Sequence, residues 1–256
     1  MAEPLFSGVG VALVTLFDDA GDLDAVATAD LAVRLAEAGL QAIVVAGSTG
    51  EAAALTPEER NQLVRAVRAA VPSRVPVLAG TGAPSARQAI ALTKSAIDSG
   101  ADAVLTLSPP GTPDPTRYYE AVCEAAGDVA VLAYHFPRAS APGVPLRALP
   151  GLPVAGIKDS SGDADRLLET LESWDRATYT GSAAILALAG PLGCAGAILA
   201  LANAEPELCV AAFDGDAGAQ RKLTASHLAS RAPFPGAIKD LTGRRFNTST
   251  TARMGT

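Results

Sequence analysis

Eight short apolar runs, each followed by a stretch with helical character, predict a (β/α)8 TIM barrel with a short C-terminal helical appendage. Three observations carry that expectation: the repetition of the unit, the near-continuous hydrophobicity of the runs, and a length of 256 residues, against about 250 in a typical barrel of this kind. Strands covered on both faces have to be apolar throughout, and parallel sheets are built from such strands. Hydrophobic residues make up 49% of the chain and aromatics only 4%, so the core has to be layered mainly from Ala, Val, Leu and Gly.

In order, the runs are Val9–Phe17, Ala42–Gly47, Val75–Gly82, Ala103–Ser108, Val129–Phe136, Val154–Lys158, Thr178–Gly181 and Gly196–Ala202. Helices are expected near Ala25–Ala38, Pro57–Ala70, Pro84–Ser99, Pro115–Ala126, Asp163–Trp174 and Ala183–Leu192. Thr56-Pro57-Glu58-Glu59 combines an N-cap, a proline at the first helical position and carboxylates in the first turn, and Ala83-Pro84-Ser85 is similar. Gly39 and Gly100 supply the expected helix stops. The segment Arg138–Pro153 leaves room only for a very short helix around Pro145–Leu149. A doubly wound open sheet is the competing arrangement, but its phosphate fingerprint is lacking: Gly80-Thr81-Gly82 follows the third run and has no third glycine.

Residues 1–204 are read as the barrel and 205–256 as a helical appendage of the same folding unit. The appendage has helices at Pro206–Phe213 and Ala217–Ser230, then a weakly patterned tail, frayed at its end. The net charge of −7 and the absence of a dense basic patch argue against a nucleic-acid partner. Cys123, Cys194 and Cys209 are odd in number and widely spaced, which fits a reducing cytoplasm better than a disulfide framework. Met1 to Gly8 lacks a leader pattern and no run reaches membrane-spanning length, so a soluble, unsecreted protein is expected.

In such a barrel the chemistry sits at the C-terminal ends of the strands. The second run ends in Gly47-Ser48-Thr49-Gly50-Glu51, the fifth in Tyr134-His135-Phe136-Pro137-Arg138, the sixth in Lys158-Asp159-Ser160-Ser161-Gly162 and the seventh in Gly181-Ser182. Of four lysines, Lys94, Lys222 and Lys239 fall in segments that read as surface helices, whereas Lys158 lies inside an apolar run. Desolvation lowers a lysine pKa, and a neutral amine attacks a carbonyl to form a Schiff base. The competing reading is a strand-end lysine that reaches solvent or pairs with Asp159. If Lys158 is the nucleophile, the Gly47–Gly50 turn would hold the carboxylate of a 2-oxo acid through its amides and the Ser48 and Thr49 hydroxyls, and Tyr134 would shuttle protons. No metal or organic cofactor is required.

The GSTGE turn at 47–51, the Y-x-x-P at 134–137 and the GIKDSSGD at 156–163 together resemble the dihydrodipicolinate synthase/N-acetylneuraminate lyase family of class I, Schiff-base-forming pyruvate lyases and aldolases. The resemblance runs from about Phe6 to Asn203. It implies Lys158 as the Schiff-base lysine, Tyr134 as the proton relay, Ser48 and Thr49 as the carboxylate-binding pair, and Ile198 flanking the pyruvyl group. It also implies pyruvate and an aldehyde as reactants and a homo-oligomer, dimer or tetramer. Where the synthases carry a tyrosine pair after the fourth strand, this chain has Pro110 and Gly111, and their substrate-binding arginine position is Ala139, with Arg138 one place earlier. The seventh and eighth strand regions, from Gly181 to Asn203, look more like 4-hydroxy-2-oxoglutarate and 2-oxo-3-deoxy acid aldolases. The tail looks shorter than the family's usual C-terminal helical region.

Several residues keep plainer readings. His135 is read as a strand residue with a satisfied hydrogen bond, His227 as a helix-surface residue, Tyr118 and Tyr119 as packing with one of them able to replace part of the missing tyrosine pair, and Ser160 and Ser161 as caps of the next helix, with Ser160 also a candidate to orient a substrate hydroxyl. A 4-hydroxy-tetrahydrodipicolinate synthase, a non-catalytic 2-oxo acid binder and, more remotely, a metal-dependent aldolase stay open as alternatives.

Overall fold

The computed structural model describes residues 3–254; the expectations that touch Met1, Ala2, Gly255 and Thr256 lie outside them. Eight parallel strands close into a barrel in sequence order: β1 Gly8–Ala12, β2 Ala42–Val45, β3 Val77–Gly80, β4 Ala103–Leu107, β5 Ala130–His135, β6 Gly156–Asp159, β7 Ala177–Thr180 and β8 Gly196–Leu199, with β8 pairing back onto β1. The strands are shorter than the runs because the ends of the runs bend into the loops: Leu13–Phe17 leaves the sheet after β1, and Leu201–Asn203 forms a 3-10 turn after β8.

The helices on the outer face are α1 Ala25–Glu37, α2 Pro57–Ala70, α3 Ala86–Asp98, α4 Thr116–Ala126, α5 Ala164–Ser173 and α6 Leu186–Ala189; α7 Pro206–Phe213, α8 Ala217–Ala229 and α9 Gly236–Phe246 follow the barrel. Thr56 makes a full capping box with Glu59 at the start of α2. At α3 the cap is Ser85, whose hydroxyl accepts from the Gln88 amide, because the chain turns helical only after Pro84-Ser85. The sixth helix is a 3-10 turn, Ala183–Ile185, followed by one α-turn, and the segment before β6 forms a 3-10 turn at Leu146–Gly151.

Alternation along the strands divides the core into two shells. An inner one includes Val44, Leu78, Leu105, Leu132, Tyr134, Tyr179 and Ile198; an outer one, between sheet and helices, includes Val11, Ile43, Val77, Val104, Val131 and Ile157. The barrel's lower end is stoppered by Phe6, stacked on Tyr179 at 4.7 Å between ring centroids.

The tail departs from the sequence expectation. Up to residue 254 it is ordered against the barrel: α9 occupies 236–246, Asn247 caps it in the left-handed conformation, and the chain then returns toward the barrel, while the expected fraying of the very end falls outside the described residues. Lys239, read as a surface lysine, is fully buried, because α9 turns it inward onto Glu51 at 2.5 Å. No helix among the described residues is long and apolar enough to cross a membrane.

Candidate active site

Strand register brings the predicted chemistry together. Tyr134 of β5 pairs with Lys158 of β6, and Lys158 with Tyr179 of β7, so Tyr134 and Lys158 face the same side, the barrel interior. The next residues, His135 and Asp159, also lie opposite one another and face outward. That alternation rules out the Lys158–Asp159 pair: Asp159 bonds Arg166 at 2.6 Å and accepts from the Ser161 amide and hydroxyl. His135 Nδ1 accepts from the Val144 amide at 2.9 Å, and burial pushes its pKa down, so it is a neutral wall residue.

Lys158 is 4% exposed and has no carboxylate partner among the described residues. Its amine sits 4.3 Å from the centroid of the Tyr134 ring. Desolvation pulls its pKa down to about 7, so a substantial fraction is neutral near neutral pH. Burial likewise pushes the Tyr134 phenol up to about 12, while the Ser160 and Ser48 hydroxyls pull it back. Such a phenol stays protonated and can give up its proton only to a strong developing base, such as an alkoxide.

Ser160 does not cap the next helix. Its hydroxyl donates to the Tyr134 oxygen at 3.3 Å, and the cap of α5 is Asp163, accepting from the Arg166 amide. Gly181 makes room for both groups: a Cβ there would lie 1.9 Å from Ser160 Oγ and 3.0 Å from Lys158 Cε. Ser182 beside it accepts from the Ala184 amide. Ile198 is a fully buried part of the inner wall.

The turn after β2 sits against this cluster. Gly47 accepts from the Ala52 amide and Ser48 from the Glu51 amide, leaving the amides of Ser48, Thr49 and Gly50 without an acceptor among the described residues. Three successive amides and two hydroxyls make a concavity suited to a carboxylate. The turn needs close backbone approach: a Cβ on Gly80 would strike the Ala46 carbonyl oxygen at 2.2 Å, and one on Gly50 would lie 2.9 Å from the Leu13 oxygen.

Tyr118 and Tyr119 do not replace the missing tyrosine pair. The Tyr118 hydroxyl is taken by Ala83 and Leu107, and that of Tyr119 by the Thr106 carbonyl and the Tyr134 amide, all behind the barrel wall. Cys194 and Cys209 are free and buried in the core.

Above the cluster opens a cavity of about 460 Å³ lined by Ser160, Gly181, Ser182 and Arg138, and also by His227 and Arg231 of the α8 region. Neither arginine pairs with a carboxylate among the described residues, and no acidic side chain lines the cavity. Arg138 stands between it and a neighbouring cleft of about 810 Å³. His227, read as a helix-surface residue, and Arg231, not singled out, both line the cavity; α8 carries only two buried residues, Ala219 and Leu223, too few to tell from sequence which of its sides turns to the barrel mouth.

Comparison with known proteins gives the chain's family and fold relatives. Residues 5–229 match the model of the dihydrodipicolinate synthetase family. A 4-hydroxy-tetrahydrodipicolinate synthase of Pseudomonas aeruginosa is 38% identical over 233 residues, covering 86% of this chain and 80% of the relative. An uncharacterized DapA-like lyase of Halobacterium salinarum is 36% identical over 262 residues, covering 95% and 86%. Among solved structures, the pyruvate complex of YagE, a prophage protein of the dihydrodipicolinic acid synthase family from E. coli K12, superposes with a TM-score of 0.89 at 29% identity, covering 97% of this chain and 91% of that one.

Proposed function

The chain belongs to the dihydrodipicolinate synthetase family and is a lyase, and from that premise we propose that it makes or breaks a carbon–carbon bond of a 2-oxo acid through a Schiff base on Lys158, with pyruvate as product or substrate. The observation that carries this reading is the lysine itself: buried, without an acid partner, brought to a pKa of about 7 and set over Tyr134.

The neutral amine attacks C2 of the 2-oxo acid while the Gly47–Gly50 turn holds the carboxylate. The carbonyl π pair moves to oxygen, which takes the Tyr134 proton; the phenolate then takes one proton from the attacking nitrogen and passes it to the new hydroxyl, and the freed nitrogen lone pair expels water to leave an iminium beside the phenolate. In the cleavage direction the C4 hydroxyl gives its proton to the Tyr134 phenolate, an aldehyde forms, and the C3–C4 pair flows into the iminium to give an enamine. Protonation at C3 and hydrolysis return pyruvate and the free amine. Ser160 and Ser48 hold the Tyr134 phenol in place through these transfers.

The far end of the substrate meets Arg138, Arg231 and His227. Unpaired cations and no carboxylate support a substrate with a second anionic group there, as in 4-hydroxy-2-oxoglutarate. A synthase joining pyruvate to aspartate semialdehyde is the second reading, favoured by the name of the Pseudomonas relative; Pro110, Gly111 and Ala139 stand against it.

Borohydride reduction in the presence of pyruvate, followed by peptide mapping, is expected to place a pyruvyl adduct on Lys158. Bound pyruvate without an adduct would overturn the reading. Profiling cleavage of 4-hydroxy-2-oxoglutarate against condensation with aspartate semialdehyde separates the two substrates, and Arg231→Ala should raise KM only for acids charged at the far end.

A further inference from the structure

Three non-glycine residues among those described have positive φ: Ala46 (51°), Glu51 (56°) and Asn247 (55°). Left-handed backbone is unfavourable for side chains other than glycine and persists only where the surroundings enforce it. Ala46 and Glu51 bracket the Gly47–Gly50 turn. Asn247, some two hundred positions later, reverses the chain after α9 so that the segment around 251–254 runs back onto that same turn.

The contact is centred on Glu51, whose side chain is fully buried. Lys239 Nζ lies 2.5 Å from one carboxylate oxygen, and the amides of Arg253 and Met254 donate to the other at 2.7 and 2.6 Å. The Lys239 amine also donates to the Thr251 carbonyl at 2.6 Å. Lys239 and Arg253 both approach the Phe17 ring, at 4.2 and 4.3 Å from its centroid. The Arg253 guanidinium then fastens the segment to its surroundings, donating to the Gly21 and Ala54 carbonyls and to Glu59 at 2.7 Å. Gly243 of α9 admits the returning chain, since a Cβ there would lie 2.7 Å from Thr250 Cγ2 and 3.0 Å from the Thr248 oxygen.

A buried ion pair is poor evidence of stabilisation, because an apolar pair of equal volume often does as well; fixing one conformation is its better-attested use. Here the conformation fixed is that of Glu51, whose amide closes the turn on the Ser48 carbonyl. We propose that Glu51 and Lys239 are positioning residues, and that the segment 239–254 acts as a strap that aims the Ser48, Thr49 and Gly50 amides at the 2-oxo acid carboxylate. This rests on the reading of that turn as the carboxylate holder. The strap governs affinity for the acid and leaves the covalent step at Lys158 alone.

The test uses the full chain with Glu51→Gln/Lys239→Met together, which removes both charges and keeps the volume, and separately Gly243→Ala, which pushes the strap off α9 without touching the pair. Borohydride trapping is followed against pyruvate concentration, with thermal melting and hydrogen exchange of the 47–52 amides alongside. The expected result is a half-saturating concentration raised about tenfold with the rate at saturation within about twofold, the signature of lost ground-state binding, together with faster exchange at 47–52 and a single cooperative melt. Gly243→Ala should change the same quantities by less, and it decides the matter alone if the double variant does not fold. Unchanged half-saturation and exchange in a folded variant would overturn the proposal, as would a fall in the saturating rate with half-saturation unchanged. If the wild-type protein forms no adduct with any 2-oxo acid, the functional reading fails, and the exchange rates still decide whether the strap holds the turn.

Discussion

Two of the four lysines are buried, and they are buried in opposite ways. Lys158, in the barrel mouth, faces the Tyr134 ring and has no carboxylate partner among the described residues. Lys239, at the strap, meets a carboxylate, a carbonyl and a second aromatic ring. Burial lowers the pKa of both, but Glu51 opposes it at Lys239 and nothing opposes it at Lys158. Desolvation alone therefore does not make a nucleophile; the absence of a partner does. The paired lysine is architecture, and the unpaired one is the candidate for chemistry.

The sharpest way to break this contrast is to remove each amine. Lys158→Met should abolish the borohydride-trapped adduct completely, whereas Lys239→Met should still form it at saturating pyruvate, as mass mapping would show. Next in size, Tyr134→Phe should slow adduct formation by ~10²-fold, the usual scale for a lost general acid, without lowering the final yield; stopped-time quenching reads both. On stability the two lysines should diverge in sign. Lys239→Met removes one partner of the buried pair and leaves the Glu51 carboxylate only the Arg253 and Met254 amides, which costs about 3 kcal/mol in denaturant titrations, while Lys158→Met should raise stability at pH 6 by removing a cation buried without compensation. The smallest effect is the pH slope. The folded pKa of Lys158 is about 7 against 10.5 for an ordinary lysine. Between those values the unfolded chain binds the extra proton, so wild-type stability from this residue rises with pH across that window and is lowest below it. Lys158→Met should flatten that slope, and the trapping rate of the wild type should fall off below pH 7 as the amine charges.

The strands and Lys158 were legible because their signals are local: an apolar run, and a lysine inside one. Even the inward aim of Lys158 and Tyr134 follows from period-two alternation once the strands are placed. Lys239 was not legible. Its neighbours Ala237 and Ile238 mark a buried patch only in hindsight, and its burial is decided by Glu51, which lies far away in sequence and reads as one polar residue of a turn motif. Arg231 and His227 were missed for a related reason, since α8 carries its apolar contacts too sparsely for its sequence to say which side meets the barrel. Ser160 was misassigned because Asp163, two residues beyond Ser161, is an equally good cap, and only the structure shows which one the helix uses.

The strap has a consequence for the order in which the molecule comes into being. The turn after β2 precedes its partners by 202 residues at Arg253, so Glu51 is fully held only when residues 239–254 have docked. Contacts of such sequence separation form late, because the long intervening loop must first close. A nascent chain whose eight strands are already present would therefore carry its lysine and tyrosine in place with the carboxylate cradle still loose. On the proposed reading, the grip on the acid therefore waits for residues 239–254 to dock, and not for the barrel alone.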